Sequence, residues 1–372
     1  MHVVIVRRAP KIAFSMDVYA DNLVAGLKQA RPTWKITEVA PRPWWQDGED
    51  AWKSGTGLKK YYERFWHHPK TVSQLDADVF HIIDHTSGHV AYWLKKKQKR
   101  TVVTCHDLVQ LIQPEILKDQ ARLPALSMAT WKYSVGGLAK ADAVISVSEN
   151  TKRDIVSHLP IAEQKVEVIP NGVSAEFQVL DQTPNLFPQD RYRKSPKSIC
   201  LLNVGSTHQR KNILGILNAL HILTTQGVDA CLWRVGDAFT PEHQQFVETQ
   251  GLSSLIYDLG KPNRQQLIEI YNSADCLLAP SLYEGFGLTV LEAMACGLPV
   301  ITSTTSSLPE VAGDSAVLVD PNSPECIAKA IFNLHINPAL RQHLVQKGLE
   351  RVQRFRWPQV GEQVAQVYEA LI

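Results

Sequence analysis

The sequence predicts an α/β fold built as two parallel-sheet domains, and three observations predict it. Short β-branched or apolar runs, among them His2 to Val6, Thr101 to Cys105, Ile199 to Val204 and Cys276 to Ala279, alternate with stretches of helical apolar spacing in both halves. A length of 372 residues suits two domains, each large enough to bury a core. Between residues 181 and 196, Pro, Asp and Arg replace periodic apolar residues, which marks a linker. The expected division is an N-terminal domain over 1–180, a linker over 181–196 and a C-terminal domain over 197–356.

Composition excludes several classes. No apolar run approaches the length of a membrane span, and the opening run stops at Arg7 and Arg8, too short for a signal peptide, so a cytoplasmic protein is expected. The six cysteines are scattered without a C-x-x-C, a pattern of reduced, buried thiols rather than of disulfides or zinc. Net charge is only +2, but residues 1–175 hold an excess of cations and the rest an excess of anions, so the first half is the one suited to an anionic partner.

In the first half, His2 to Val6 reads as a strand and Asp17 to Lys28 as a helix with apolar spacing at Val18, Leu23, Val24 and Leu27. The loop between them, Arg7 to Met16, falls at the carboxyl end of a strand, where open α/β sheets place ligands. After a second strand, Lys35 to Val39, residues 41–57 are rich in Pro, Trp, Gly and acid, as in a mobile surface loop. Aromatic and basic residues follow, from Lys59 to Trp66. This mixture suits stacking on a sugar acceptor or resting on an anionic membrane, and equally packing beneath a long loop.

His81, His85 and His89 would align as metal ligands on a helix, but residues 79–83 read as a strand and Gly88 as a turn, so no metal is expected. His85, following that strand, is a candidate to line a ligand site. The basic run Lys95 to Arg100 reads as solvated and complementary to a helix dipole; no nucleic-acid motif accompanies it. The strand Thr101 to Cys105 ends in His106-Asp107, again at a carboxyl edge. A helix over 122–140, a strand over 143–147 and a capped helix after Ser148 complete this half.

The second half opens with a strand and then Gly205-Ser206-Thr207-His208-Gln209-Arg210-Lys211-Asn212. Positive charge just ahead of a helix can neutralise a diphosphate, Arg offering a fork and Lys a point charge. Strands over 231–235, 255–259, 276–279 and 300–302 alternate with helices, which argues for a second parallel sheet. The stretch Pro280 to Gly297, PSLYEGFGLTVLEAMACG, is strand, loop, helix. Gly285 and Gly287 permit close ligand approach at the helix N-terminus, a place suited to phosphate oxygens. Glu284 and Glu292 frame it as hydroxyl-gripping carboxylates. The dinucleotide fingerprint GxGxxG is absent, which disfavours a dehydrogenase.

Glu284-Gly285-Phe286-Gly287-Leu288 with Glu292 closing an E-x7-E pattern, followed by AMACGLPV, resembles the donor site of family 4 retaining glycosyltransferases, whose fold is GT-B. The resemblance implies two Rossmann-like domains facing a central cleft, with helix 357–372 crossing back to complete the first. It implies that Glu284 contacts the transferred sugar, Glu292 the ribose, and the amides of Phe286, Gly287, Leu288 and Thr289 the sugar and diphosphate. G-x4-R-K-N resembles the family's phosphate-binding pair, giving that role to Arg210 and Lys211 beside Gly205 and Ser206. T-x-H-D-L resembles the family's histidine segment, making His106 a donor-sugar contact and Asp107 a group that orients it or the acceptor. Where many members have Gly-Gly, this chain has Ala13-Phe14-Ser15-Met16, so Phe14, Ser15 and Met16 are the acceptor-side candidates there. Asp76-Ala77-Asp78 mimics the metal-binding D-x-D of the other major glycosyltransferase fold but lies at the wrong end of its strand and reads as a polar corner.

The implied activity is transfer of a hexose from a UDP- or GDP-linked sugar to a hydroxyl of a glycan, a lipid-linked acceptor or a small metabolite. No metal or other cofactor is required on this reading, nucleic acid is not a partner, and peripheral contact with the inner face of an anionic membrane accompanies it. Two rivals remain at this stage, a GT-B-like sugar-nucleotide epimerase and a non-catalytic nucleotide-sugar-binding regulator.

Overall fold

The computed structural model describes residues 1–9, 14–42, 56–112, 124–180, 195 and 198–372. The chain forms two compact units, Met1–Gly172 with Trp357–Ile372, and Val173–Arg356. The expected boundary at residue 180 is corrected by what residues 173–180 bond to. Val173 donates its N–H to Phe355 O at 2.8 Å, Leu180 donates to the Asn272 side chain at 2.9 Å, and Phe177 packs edge-on against Tyr271. All these partners belong to the second unit. The expected linker lies outside the described residues apart from Ser195, as do most of the loop expected at 41–57 and residues 122 and 123 of the helix expected to start at 122.

The first unit carries a parallel sheet of β1 (His2–Val6), β2 (Lys35–Val39), β3 (Val79–Ile82), β4 (Thr101–Cys105), β5 (Ala143–Ser146) and β6 (Val166–Val168), in the order β2-β1-β3-β4-β5-β6. Every residue of β3, β4 and β5 is buried, as expected for strands covered by helices on both faces. On one face the helix Phe14–Ala30 crosses the helix Trp357–Glu369 closely. A Cβ on Gly26 would stand 2.6 Å from Trp357 O, so this crossing requires glycine. Arg31 clasps Glu362 and Glu369, each at 2.7 Å, and Tyr368 reaches His81 in the core. The closing helix thus completes the first core. The aromatic and basic stretch from Lys59 is helical, within a run from Thr56 to Ser73 that includes a π-helical turn at Glu63–His67.

The second unit carries β7 (Ile199–Gly205), β8 (Ala230–Gly236), β9 (Ile256–Asp258), β10 (Cys276–Ala279), β11 (Val300–Ser303) and β12 (Val317–Val319), in the order β12-β11-β10-β7-β8-β9, all parallel. The short β12, whose middle residue Leu318 is exposed, went unread in the sequence. Each sheet has one place where adjacent strands send their connections in opposite directions: β1 beside β3 in the first, β7 beside β10 in the second. Ligands of open α/β sheets bind outside the carboxyl ends at such switch points. No described helix is long and apolar enough to cross a membrane.

Candidate functional site

The loops leaving β7 and β10 meet at the switch point of the second sheet. After β7 the chain makes a 3-10 turn at Gln209–Lys211, and Asn212 adopts the left-handed conformation, φ 57°, before the helix Ile213–Thr225. Asn212 tolerates that geometry because its amide bonds the carbonyls of Pro280 at 3.0 Å and Pro321 at 2.6 Å. Leu282 donates to Arg210 O at 2.7 Å, so the two loops are tied main chain to main chain. A third segment braces them. Ser303 bonds Ser281 O, and the Ser307 hydroxyl serves the carbonyls of Glu284 and Phe286 at 2.9 and 2.8 Å. Ser306 sits at φ 56°, strained for a non-glycine residue, and its oxygen accepts the Glu284 N–H at 3.0 Å.

Glu284 is the electrostatic centre of this arrangement. Its carboxylate is almost wholly buried and accepts from Arg210 Nη1 at 2.6 Å, Lys211 Nζ at 2.5 Å and Ser281 Oγ at 2.8 Å. Burial alone would raise its pKa. Lys211 and Arg210 overcome that and hold it at about 2, so the group is a carboxylate at any physiological pH. The structure therefore brings Arg210, Lys211 and Glu284 into direct contact, whereas the sequence reading gave the cations to phosphate and the carboxylate to sugar without joining them. Lys211 also lies across Gly205, its Cε 3.6 Å from where a Cβ would stand.

The helix Leu288–Ala295 begins at Gly287, whose φ of 112° and lack of a Cβ are both needed: a Cβ there would lie 2.8 Å from Leu308. Phe286 is buried against Phe355, while Gly285, Leu288 and Thr289 stay partly exposed, as does Ser206 on the other loop. Glu292, one turn into the helix, accepts from the Tyr271 hydroxyl at 2.8 Å. Desolvation raises its pKa, against the pull of Tyr271, Arg264 and Lys211.

Sequence reasoning missed Arg234. It is buried at the end of β8, where an arginine in an apolar run gives no motif, and it donates to the carbonyls of Gly205 at 2.6 Å, Val235, and Asp237 at 3.3 Å. Among the described residues its Nε has no hydrogen-bond partner. Burial lowers its pKa, with Asp237 and Asp258 opposing. Arg234 thereby fixes the carboxyl ends of β7 and β8, which pass so close that a Cβ on Gly236 would overlap Gly205 O.

At the first unit's switch point the expected residues take different parts. His106 is buried, its Nε2 2.8 Å from Ile83 O and its ring edge-on to Tyr19. Asp107 makes no hydrogen bond to it among the described residues: Oδ1 accepts the Val109 N–H at 3.2 Å, at the start of the short helix Val109–Ile112. The carboxylate that acts most strongly on His106 is Asp84, unremarked in the sequence, which faces His85 and Arg8 as well. His85 Nδ1 accepts the His106 N–H at 3.3 Å. Of the other two histidines, His81 bonds Tyr368 and Thr104, and His89 bonds Ser134 and Arg64 O. They are satisfied core groups. Phe14, Ser15 and Met16 open the helix Phe14–Ala30 rather than ending a loop, and the preceding residues 10–13 lie outside the described residues. Asp76 and Asp78 bond Lys99 and the His2 N–H at the amino-terminal edge.

A family model for glycosyl transferases group 1 matches residues 188–351, and one for glycosyltransferase family 4 matches residues 17–177. The chain belongs to the family 4 glycosyltransferases. This glycosyltransferase is 27% identical over 295 residues to O-antigen chain mannosyltransferase B of Escherichia coli, covering 75% of the chain and 73% of that relative. Against a serotype-specific mannosyltransferase of the same organism it is 25% identical, spanning only 36% of that longer protein. Its fold, GT-B, is shared over 100% of the chain and 99% of sucrose-phosphate synthase from Thermosynechococcus elongatus, with a TM-score of 0.76 at 21% identity. Anabaena HepE in complex with UDP-glucose aligns over 100% of both chains, with a TM-score of 0.75 at 16% identity.

Proposed function

We propose that this glycosyltransferase moves a hexose, with retention, from a UDP- or GDP-linked sugar to a hydroxyl of a glycan, a lipid-linked acceptor or a small metabolite. The observation that carries the reading is the Glu284 carboxylate held between Arg210 and Lys211 at the switch point of the second sheet. The UDP-glucose held by HepE supports a nucleotide sugar, and the O-antigen mannosyltransferase supports a glycan acceptor.

In this reading the diphosphate lies against Arg210, Lys211 and the amides of Phe286 to Thr289. Lys211 Nζ has three donors and Glu284 takes one, so phosphate contact does not require the ion pair to break. Glu284, fixed and ionised, accepts from sugar hydroxyls, and Glu292 with Tyr271 behind it accepts from the ribose. As the glycosidic bond breaks, negative charge grows on the leaving diphosphate where the cations already stand, so stabilisation needs no reorganisation. The acceptor hydroxyl attacks the same face through an oxocarbenium-like state. Its oxygen bonds the anomeric carbon as the bond to the diphosphate breaks, and its proton passes to the leaving phosphate oxygen. No metal is assigned to any of these steps.

The first unit recognises the acceptor. Exposed Tyr62 and Trp66, in the same helical run as Lys59 and Lys60, with exposed Tyr133 beside Phe65, suit peripheral contact with the cytoplasmic face of an anionic membrane. Incubation with UDP- and GDP-sugars, with and without an acceptor extract, tests the activity. Diphosphate release that depends on acceptor is the expected result; release without acceptor identifies an epimerase or hydrolase, and binding without release identifies a regulator.

A further inference from the structure

The charge gathered at the switch point of the first sheet is not used by the chemistry above. Arg8 follows β1 and Asp84 follows β3, and the two join across adjacent strand ends, Nη1 to Oδ2 3.0 Å. Asp84 also accepts the Thr86 N–H at 2.8 Å, which shapes the turn His85–Ser87. Arg64 reaches the same turn from the π-helical segment and donates to Thr86 O at 2.8 Å. Among the described residues no carboxylate pairs with Arg64, and Asp84 is the one that pairs with Arg8. Burial and the nearby Arg8 disfavour the Arg64 charge more than Asp84 and Tyr61 favour it, and burial, Arg64 and Arg8 in turn lower the Lys60 pKa. His85 lies beside this pair, its Nδ1 accepting the His106 N–H at 3.3 Å and its Nε2 making no hydrogen bond among the described residues.

Two arginines around one buried carboxylate leave positive charge in excess at a place where desolvation makes repulsion costly. Asp84 cannot relieve it further, being ionised and already shared among Arg8, His85 and Thr86. An anion with several acceptor oxygens can, and guanidinium forks match phosphate geometry. We propose that the β1–β3 switch point, through Arg8, Arg64 and His85, binds a phosphate group carried by the acceptor. The assignment rests on the reading that the first unit recognises the acceptor, and it narrows that acceptor to a phosphomonoester or phosphodiester, soluble or lipid-borne.

Full-length protein carrying Lys211→Ala, which weakens phosphate binding at the second unit, is titrated with inorganic phosphate while its melting temperature and the ³¹P linewidth are followed. A saturable rise in melting temperature and line broadening are expected, both lost when Arg64→Gln is added and partly retained with Arg64→Lys. The linewidth reads binding at 25 °C even if the double variant is less stable. No saturable effect in the Lys211→Ala protein overturns the proposal, as does an effect that survives both Arg64→Gln and Arg8→Gln. Short-chain phosphatidic acid below its micelle concentration separates the sources: tighter binding than inorganic phosphate marks a lipid headgroup, equal binding a soluble ester. Stabilisation of Arg64→Gln protein by UDP or GDP should match wild type. If wild type itself ignores both nucleotides, the donor reading fails while the phosphate result stands.

Discussion

The two units place their chemistry at the same topological position and compose it in opposite ways. In the second, a carboxylate sits between two cations supplied by one short loop, and hydroxyls of residues 303–307 hold the backbone around it. In the first, cations from separate elements surround a single carboxylate, and burial lowers the pKa of His106 nearby. The fold decides where a ligand sits; how the cations are paired decides which ligand. Each group holds two cations against one carboxylate: on the proposed reading Arg210 and Lys211, both paired with Glu284, share their remaining donors with a diphosphate, whereas Arg64, which pairs with no carboxylate among the described residues, is left for a partner's charge.

The largest expected difference between the units appears under acid. His68, His81 and His89 of the first unit are pushed down to about 4, 3 and 3 by burial. His106 moves the same way. Their folded pKa values lie below the unfolded value of about 6.5, so the unfolded chain takes up protons first as pH falls. Their contribution is complete above about pH 6.5 and is lost progressively toward pH 3–4. In the second unit His208 and His243 shift likewise, but Glu284, held at about 2, contributes fully above its unfolded value near 4.5 and loses that only below it. Hydrogen exchange resolved by unit should show the first opening at higher pH than the second; simultaneous opening breaks the contrast.

Glu284→Ala comes next. It leaves Arg210 and Lys211 partly buried without their carboxylate, so the second unit should lose about 3 kcal/mol and transfer should fall more than about a hundredfold. Denaturant curves and initial rates measure both, and a fully active variant would remove Glu284 from the site. Lys211→Ala should lower turnover at least about tenfold, since one charge-assisted phosphate contact is worth about 1.5–3 kcal/mol; unchanged turnover excludes the lysine. Arg234→Met, which frees the Gly205 and Val235 carbonyls, should raise the donor KM more than it lowers kcat. The smallest effect is expected from Glu292→Ala, a weakening of nucleotide affinity by about tenfold, with Tyr271→Phe milder; calorimetry showing wild-type affinity in Glu292→Ala contradicts a ribose role.

How much of this the sequence displayed follows from the same contrast. The second site lies in two unbroken stretches, 205–212 and 284–292, so spacing and residue type exposed Arg210, Lys211, Glu284 and Glu292 together. Both sheets were legible because buried parallel strands are continuous apolar runs, apart from the three-residue β12. What spacing could not reveal is contact across distance. Arg8, Arg64 and Asp84 come from three segments: the adjacency of β1 and β3 brings Arg8 to Asp84, and the π-helical turn at Glu63–His67 brings Arg64 to the turn that follows β3. Asp107 shows the same limit: adjacency in sequence suggested a group that orients His106 or the acceptor, while its carboxylate in the structure bonds the Val109 N–H. Arg234 hides among Leu232, Trp233 and Val235, where burial rather than pattern gives it meaning.

The most direct measurement is a crystal structure of the chain soaked with UDP or GDP. The account predicts phosphate oxygens within hydrogen-bond reach of Lys211 and Arg210, at the amino end of the helix Leu288–Ala295, with the ribose against Glu292. A nucleotide bound away from residues 205–212 and 284–292, with the Glu284 triad untouched, would contradict it.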